Sequence, residues 1–553
     1  MRAAARRLAP GLLPALLLAL TLAACARHDE GPAVQADRAR DLATQAIAGQ
    51  HLRRQIDDTA RTLDPSLCTD IIGQRVIDDL FEGLVRLDPA GRIAPGVARS
   101  WETSADGLKW TFHLRDDARW SNGERVTAAD FVYGWRREVD PNTASETAQQ
   151  MAPIVNALAI AAGKMPLSSL GVQARDALTL DVQLTAPTGY FLYLLTNQYL
   201  FPQHQATIDA YGPSWTDAGK LVGNGAFTLA DQRINGPIHL RRNPHYWDAA
   251  AVRLNEVTYF PVTERDSAVS RYLAGDVDLT DGFPIDDIGW LRQRVGTELY
   301  LAPYFGTVML GINVSRPPFN SVPLRQAMNL AIDRDVIAEK LRRGVYLPAY
   351  NVVPPLEGYP RVQPEWATWP TAKRHELARK LYAEAGYTKD NPLHVDFSFP
   401  TPDADTRLVF EALAAMWRVN LGAEVALVNE EWRVHQQNRK LGKPDLFWIA
   451  WIADYLDPLT FLALAQKGNT QNYGRYDNAL YEKALASAVT RVDPALRYQD
   501  YVAAEKVLNE DPAFFPLYFY QSRHLVRSYV KGFQPNIVDR NLSRDLYLTA
   551  GGS

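Results

Sequence analysis

The chain has 553 residues, 47% hydrophobic and 22% charged, the balance of an ordinary globular protein and not of a disordered one. It is about twice the length at which a single core stops growing, so two or three lobes are expected. With 59 Lys and Arg against 63 Asp and Glu, a net charge of −4, it offers no basic surface, and no nucleic-acid partner is expected.

Residues 1–24 read as an export signal. Arg2, Arg6 and Arg7 precede an apolar run over 11–23, shorter than the roughly 20 residues a membrane span needs. The run ends in Leu22-Ala23-Ala24-Cys25, which resembles a bacterial lipobox. That resemblance implies cleavage before Cys25 and lipidation of its thiol. The alternative is a plain secretory signal with an incidental cysteine. Loss of the three arginines would leave the mature chain at −7. Cys25 and Cys68 are the only cysteines, so no internal disulfide is expected and the core must suffice. Residues 25–50 are polar and Ala-rich and read as a linker from the lipid; which membrane holds it is open.

Downstream, strand-like and helix-like pieces alternate. LKWTFHLR (108–115) and LTLDVQL (178–184) alternate as half-buried strands, and NEVTYFPV (255–262) is rich in β-formers. SRYLAGDVDLT (270–280) reads as a helix end, a glycine stop and a strand. PLRQAMNLAIDRDVIAEKLRRG (323–344) carries Leu324, Ala327, Met328, Ala331 and Ile332 at helical spacing, with Gly344 as its cap. Amphipathic helices are predicted over 373–387 and 405–422, the second followed by a strand in AEVALVN. Repeated helix-then-strand segments indicate α/β lobes. FWIAWIA (447–453) is apolar on both faces and reads as a buried central strand. In the DYLDPLTF that follows, Asp457 is predicted to cap a helix whose first turn holds Pro458.

Several phrases then converge: DLFEGLVRLDPAGRIAPGVARSWETSADGLKWTFHLRDDARWSNGERVTAADFVYGWRREVDPNTAS (79–145), GNGAFTL (223–229), LRRNPHYWD (240–248), PPFNSVPLRQAMNLAIDRDVI (317–337), QPEWATW (363–369), ARKLYAEAGY (378–387) and ADYLDPLTF (453–461). In this order they resemble the oligopeptide-binding type of the extracytoplasmic solute-binding proteins of ABC importers, family 5, over residues 55–550. The resemblance implies an α/β fold of two lobes joined by hinge strands, with an extra lobe inserted in the first. Lobe I would comprise 51–80, 200–305 and 522–553, the inserted lobe 81–199, and lobe II 306–521. It further implies a monomer in the cell envelope that closes on an oligopeptide and docks on the permease subunits of an importer.

A peptide of arbitrary sequence offers a constant backbone and two charged ends. A general binder is therefore expected to pair the backbone with a strand edge and to meet the ammonium with a carboxylate. By resemblance, Asp454 receives the ammonium, although its local sequence reads as a turn cap or the partner of a nearby arginine. Ala450, Trp451 and Ile452 are the candidates for strand-like contacts, Asn472 for a further contact, and Tyr518 matches a cleft tyrosine. Arg439 and Arg342 match cations that meet the ligand carboxylate. Two positions depart from the family pattern: Trp448 stands where relatives carry an arginine, and Asp405 where they carry a histidine. Arg407 is the candidate substitute. Each of these arginines reads alternatively as a solvated surface charge.

The departures leave open a murein-derived peptide or another peptide-like metabolite as ligand. The reading from another class is a signalling lipoprotein that kept the lobes but serves no transporter. Neither cofactor nor metal is expected. GxSxG, HExxH and GxxxxGK[ST] are absent, and an enzyme is not expected.

Overall fold

The computed structural model describes residues 32–401 and 404–550. The signal segment 1–24 and the lipidation expected at Cys25 lie outside the described residues. The chain forms a two-lobed α/β fold on three main sheets. The first sheet is four-stranded, in the order His51–Ile56, Glu256–Pro261, Ile238–Arg242 and Phe227–Gln232. Between Ile56 and Phe227 the chain leaves it to build a second four-stranded sheet: Ala98–Thr103, Lys109–Leu114, Thr179–Gln183 and Val172–Asp176, all antiparallel. One apolar core serves both, with Trp120, Trp135 and Trp215 buried in it.

The third sheet has six strands, in the order Leu347–Pro348, Phe514–Leu525, Leu299–Ile312, Leu446–Ile452, His394–Pro400 and Glu424–Glu430. Alternation along Leu299–Ile312 divides its side chains between two cores. Val308, Leu310 and Ile312 enter one, Phe305 and Met309 the other.

Two long strands tie this sheet to the first. Leu299–Ile312 and Phe514–Leu525 pair from Gly311 and Phe514 to Leu299 and Leu525. Beyond that end, Thr280 N donates to Leu525 O at 3.0 Å and Gln55 N to Leu279 O at 2.8 Å. These bonds hand the ladder on to strand His51–Ile56. The junction is buried and charged. The His524 imidazole lies between Thr280 O at 2.7 Å and Asp539 Oδ1 at 2.6 Å. Both neighbours accept, so both ring nitrogens carry protons. Arg75 pairs with Asp539 at 3.0 Å and with Asp281 at 3.2 Å. Burial opposes the imidazolium, but Asp539 outweighs it and raises the His524 pKa above its ordinary value. Burial likewise opposes the Asp539 carboxylate, and His524 and Arg75 still hold it below the usual range.

Most elements expected from periodicity are present: Lys109–Leu114, Thr179–Gln183, Glu256–Pro261, Thr371–Glu384, Ala404–Leu421 and Glu424–Glu430. Three places differ. The stretch 25–50, expected to be a linker, contains helix Pro32–Gly49, with Ala46 buried and Arg38 3.2 Å from Asp276. Its small alanine-rich face gives too weak a stripe to read as amphipathic. The helix expected over 323–344 stops at Leu330 and resumes at Arg334. The buried Arg334 guanidinium donates to the carbonyls of Ala349 and Pro516 at 2.8 Å and of Asn329 at 3.0 Å, which holds the chain off the helical path. After Gly275, which caps helix Arg265–Ala274 at φ +79°, the expected strand makes only single bridges at Leu279. Cys68 is a free, buried thiol whose pKa burial pushes up to about 12. No described helix is long and apolar enough to cross a membrane.

Candidate ligand-binding cleft

Strand Leu446–Ile452 is paired unequally. Along one edge every residue from Leu446 to Ile452 pairs antiparallel with Ile312 back to Gly306. Along the other, only Leu446 and Phe447 meet a neighbouring strand, at Phe397 and Ser398. Asp445 O and Ala453 N bond to the central strand, through Asn313 N and Phe305 O at 2.9 Å each. Alternation then turns the backbone groups of Trp448, Ala450 and Ile452 to the outer edge. Arg439 Nη1 takes up Trp448 O at 3.3 Å. Among the described residues nothing pairs with the amides and carbonyls of Ala450 and Ile452, which form an open strand edge. Trp451 turns its backbone inward and donates its indole N–H to Thr460 Oγ1 at 3.1 Å. The strand expected to be buried and central is therefore so only in its first half, and burial falls from Leu446 and Phe447 to Trp451 and Ile452.

Asp454 follows this edge directly and faces a cavity of about 290 Å³, shared with Gln150, Asn197, Tyr199, Tyr304 and Arg540. No described cation pairs with it. The arginines on the same wall are engaged elsewhere, Arg75 by Asp281 and Asp539 and Arg540 by Asp78 at 2.6 Å. The Asp454 backbone is fixed from both sides: its N–H points to Thr460 Oγ1 at 3.4 Å, and its carbonyl accepts from Asn197 Nδ2 at 3.2 Å. The Asp454 residue is exposed to the cavity, with its carboxyl set among the lining side chains. Desolvation there, only partly offset by the nearby Gln150 amide, pushes its carboxyl up to about 6. A carboxylate in a cleft with no described cation paired to it can accept a cation brought from outside.

The same point is where the lobes touch. Tyr455 stacks on Tyr190 of the inserted segment, with ring centres 3.8 Å apart and planes 8° from parallel. Tyr190→Ala is expected to lower ligand affinity about fivefold, the effect of roughly 1 kcal/mol, and to enlarge the ligand-free radius of gyration in small-angle scattering. Unchanged values of both would show that the stack plays no part in closure.

A second cavity, of about 350 Å³, lies at the Trp448 end of the strand, lined also by Arg342, Tyr346, Tyr518, Tyr520 and Arg523. Arg342 Nη2 donates to Tyr518 OH at 2.7 Å and to Thr406 Oγ1 at 3.0 Å, and Tyr518 stacks on Tyr346 at 5.2 Å. The fold thus gathers Trp448, Tyr518 and Arg342. Arg439 lies behind them on helix Trp432–Lys440, buried, 4.7 Å above the ring of Tyr473, and burial holds its pKa below the arginine range.

Two expected ligand residues are placed elsewhere. Asn472 is used inside its own loop, donating to Tyr476 O at 2.9 Å and accepting from Tyr476 N at 3.0 Å. Arg407 sits on the exposed face of helix Ala404–Leu421, 2.9 Å from Glu411 one turn on, and lines neither cavity. The side chain of Asp405 lies outside the described residues. Helix Leu459–Leu462 starts one residue later than expected, with Pro458 and not Asp457 at its N-cap; Asp457 accepts from Leu459 N at 3.0 Å and pairs with Arg497 at 3.3 Å. Gln150, Tyr190, Asn197, Tyr346 and Arg523 were not marked by the sequence, because each reaches the cleft from a segment remote from Asp454.

The sequence model of the bacterial extracellular solute-binding proteins, family 5 (middle region), matches residues 92–473. The chain belongs to this family. It is 39% identical over 504 residues to the periplasmic oligopeptide-binding protein OppA of Escherichia coli (strain K12), covering 90% of this chain and 92% of that protein. It is 37% identical over 505 residues to the periplasmic murein peptide-binding protein MppA of the same strain, covering 90% and 93%. The solved unliganded open form of the murein tripeptide-binding protein MppA superposes with a TM-score of 0.80 at 37% identity, over 90% of this chain and 97% of that one. The family is one of solute-binding proteins, not of enzymes.

Proposed function

We propose that this chain is the substrate-binding component of an ABC importer for oligopeptides. One observation carries the reading: an open strand edge at Ala450 and Ile452 ends in a carboxylate that no described cation neutralises. A peptide laid extended along that edge completes the ladder by β-augmentation, whatever its side chains. Its α-ammonium then meets Asp454. The lobes close about the long strands Leu299–Ile312 and Phe514–Leu525, and the loaded form docks on a permease. The names of the relatives support oligopeptides as the ligand class. Delivery requires release, so an affinity of about 1 µM, or about −8 kcal/mol, is expected. The protein acts as a monomer held at the cell envelope through lipid on Cys25.

Murein-derived peptides are the second reading, favoured by Trp448 in place of an arginine and by the likeness to MppA. Native mass spectrometry of protein purified from cells separates the two. A mixture of short peptides supports the first and a single murein fragment the second, whereas a non-peptide ligand would overturn both.

The site also sets a pH dependence. Binding needs Asp454 ionised and the ligand amine protonated. Asp454 titrates at about 6 in the empty cleft, and a peptide α-amine at about 8. Calorimetric affinity is expected to be flat between these values and to fall by up to tenfold per pH unit on acidification through the Asp454 value. An affinity unchanged well below that value would place the ammonium elsewhere.

A further inference from the structure

Three contacts tie the loop Asp454–Asp457 to the inserted segment, and a glycine makes room for the third. The first two are the hydrogen bond from Asn197 Nδ2 to Asp454 O and the stack of Tyr455 on Tyr190. The third runs through Arg497, on helix Pro494–Glu510. Arg497 is buried, donates from Nη2 to Asp457 Oδ2 at 3.3 Å, and lies directly against Gly189. A Cβ on Gly189 would overlap its guanidinium. The Gly189 backbone lies outside the left-handed region. Conformation therefore does not call for glycine there, and the space taken by Arg497 does.

Neither side of this contact gives way easily. The loop around Gly189 is braced by its own bonds, Thr188 Oγ1 to Ala186 O at 2.9 Å and Phe191 N to Thr188 O at 3.1 Å. The guanidinium is held by Asp457, and swinging it away would strand a buried carboxylate. Nη1, the Arg497 atom nearest to a Cβ on Gly189, has no hydrogen-bond partner among the described residues, and neither has Nε. Buried donors set against a loop backbone are satisfied by its carbonyls once the two sides press together. The inserted segment reaches the same helix a second time. A Cβ on Gly107 would stand 3.5 Å from Cγ2 of Val492, just ahead of Pro494.

We infer that Arg497 and Gly189 are positioning residues that form a latch. Through it the inserted segment sets the loop Asp454–Asp457, so that closing the lobes and presenting Asp454 to the ligand amine are one event. The inference rests on the oligopeptide reading above and adds to it a task for the inserted segment. Neither residue touches the ligand. They act through Asp457 and Tyr455, the neighbours of Asp454 in its loop.

Gly189→Ala is expected to weaken calorimetric binding of tri-alanine at least about tenfold, with the ligand-free melting temperature near that of the wild type. The radius of gyration of the variant with peptide added should stay near its ligand-free value. In an Arg497→Ala background the same change should have no further effect, because the overlapping group is gone. Hydrogen exchange of the wild type needs no variant: fragments spanning 186–197 and 454–460 should gain protection together when tri-alanine binds. No gain at 186–197 would overturn the latch even if the variants failed to fold. Wild-type affinity in Gly189→Ala would overturn it too, as would an undiminished loss in the Arg497→Ala background. None of these results would touch the oligopeptide reading. Failure of the wild type to bind tri-alanine would remove that reading and the latch together.

Discussion

Asp454→Ala is expected to abolish calorimetric binding of a free-amine tripeptide, and N-acetylation of the peptide is expected to do the same to the wild type. The carboxylate stands in a cleft where no described cation pairs with it. On the proposed reading, it and the ligand ammonium are each other's main electrostatic partner in the loaded state. Truncating one member of such a pair costs about 3 kcal/mol or more, because the other charge stays desolvated. That is more than about a hundredfold, enough to move an affinity near 1 µM out of calorimetric reach. Asp454→Asn keeps the volume and the contact with Gln150 but removes the charge, and is expected to lose nearly as much. Retention of tight binding by either variant, or by the acetylated peptide, would show that the amine is received elsewhere.

The second large effect is on stability. Asp539→Ala is expected to destabilise the protein by about 3–5 kcal/mol, the cost of stripping the counter-charge from a buried pair. Asp539 faces both His524 and Arg75 at the junction where the two long strands leave the first sheet. The variant leaves His524 without its carboxylate and Arg75 with Asp281 alone, so urea midpoints reported from either lobe should fall. The pH dependence carries the sign. The folded pKa of His524 lies above its unfolded value of 6.5. Its contribution is therefore fully present below pH 6.5 and is lost as pH rises through the folded value. Wild-type midpoints should decline on the alkaline side of neutrality, and those of Asp539→Ala should not. Parallel profiles would remove the imidazolium from the junction.

What the sequence disclosed and what it withheld divide along physical lines. Periodicity located Lys109–Leu114, Glu424–Glu430 and helix Thr371–Glu384, because each has one buried face. It could not show that Leu446–Ile452 is paired on both sides only at its start. Trp448, Ala450 and Ile452 are as apolar as Leu446, and the difference lies in where strand His394–Pro400 diverges. Asp454 stood out as a charge ending an apolar run, but its role came from family resemblance, since the same letters suit a turn cap. Arg407 and Arg523 were indistinguishable as letters. One lies on a helix exterior beside Glu411 and the other lines a cavity, a distinction made by tertiary packing alone. Helix Pro32–Gly49 was missed because alanines bury little apolar area.

The open edge of Leu446–Ile452 has a consequence for the life of the empty protein. An unpaired edge flanked by apolar side chains is a template for any extended chain, including a partly unfolded copy of this one. Recession in the cleft keeps folded neighbours from reaching it, but not a loose segment. A bound peptide therefore does more than travel. On the proposed reading, a peptide that occupies the cleft caps the edge, and cargo then doubles as protection against intermolecular β-aggregation.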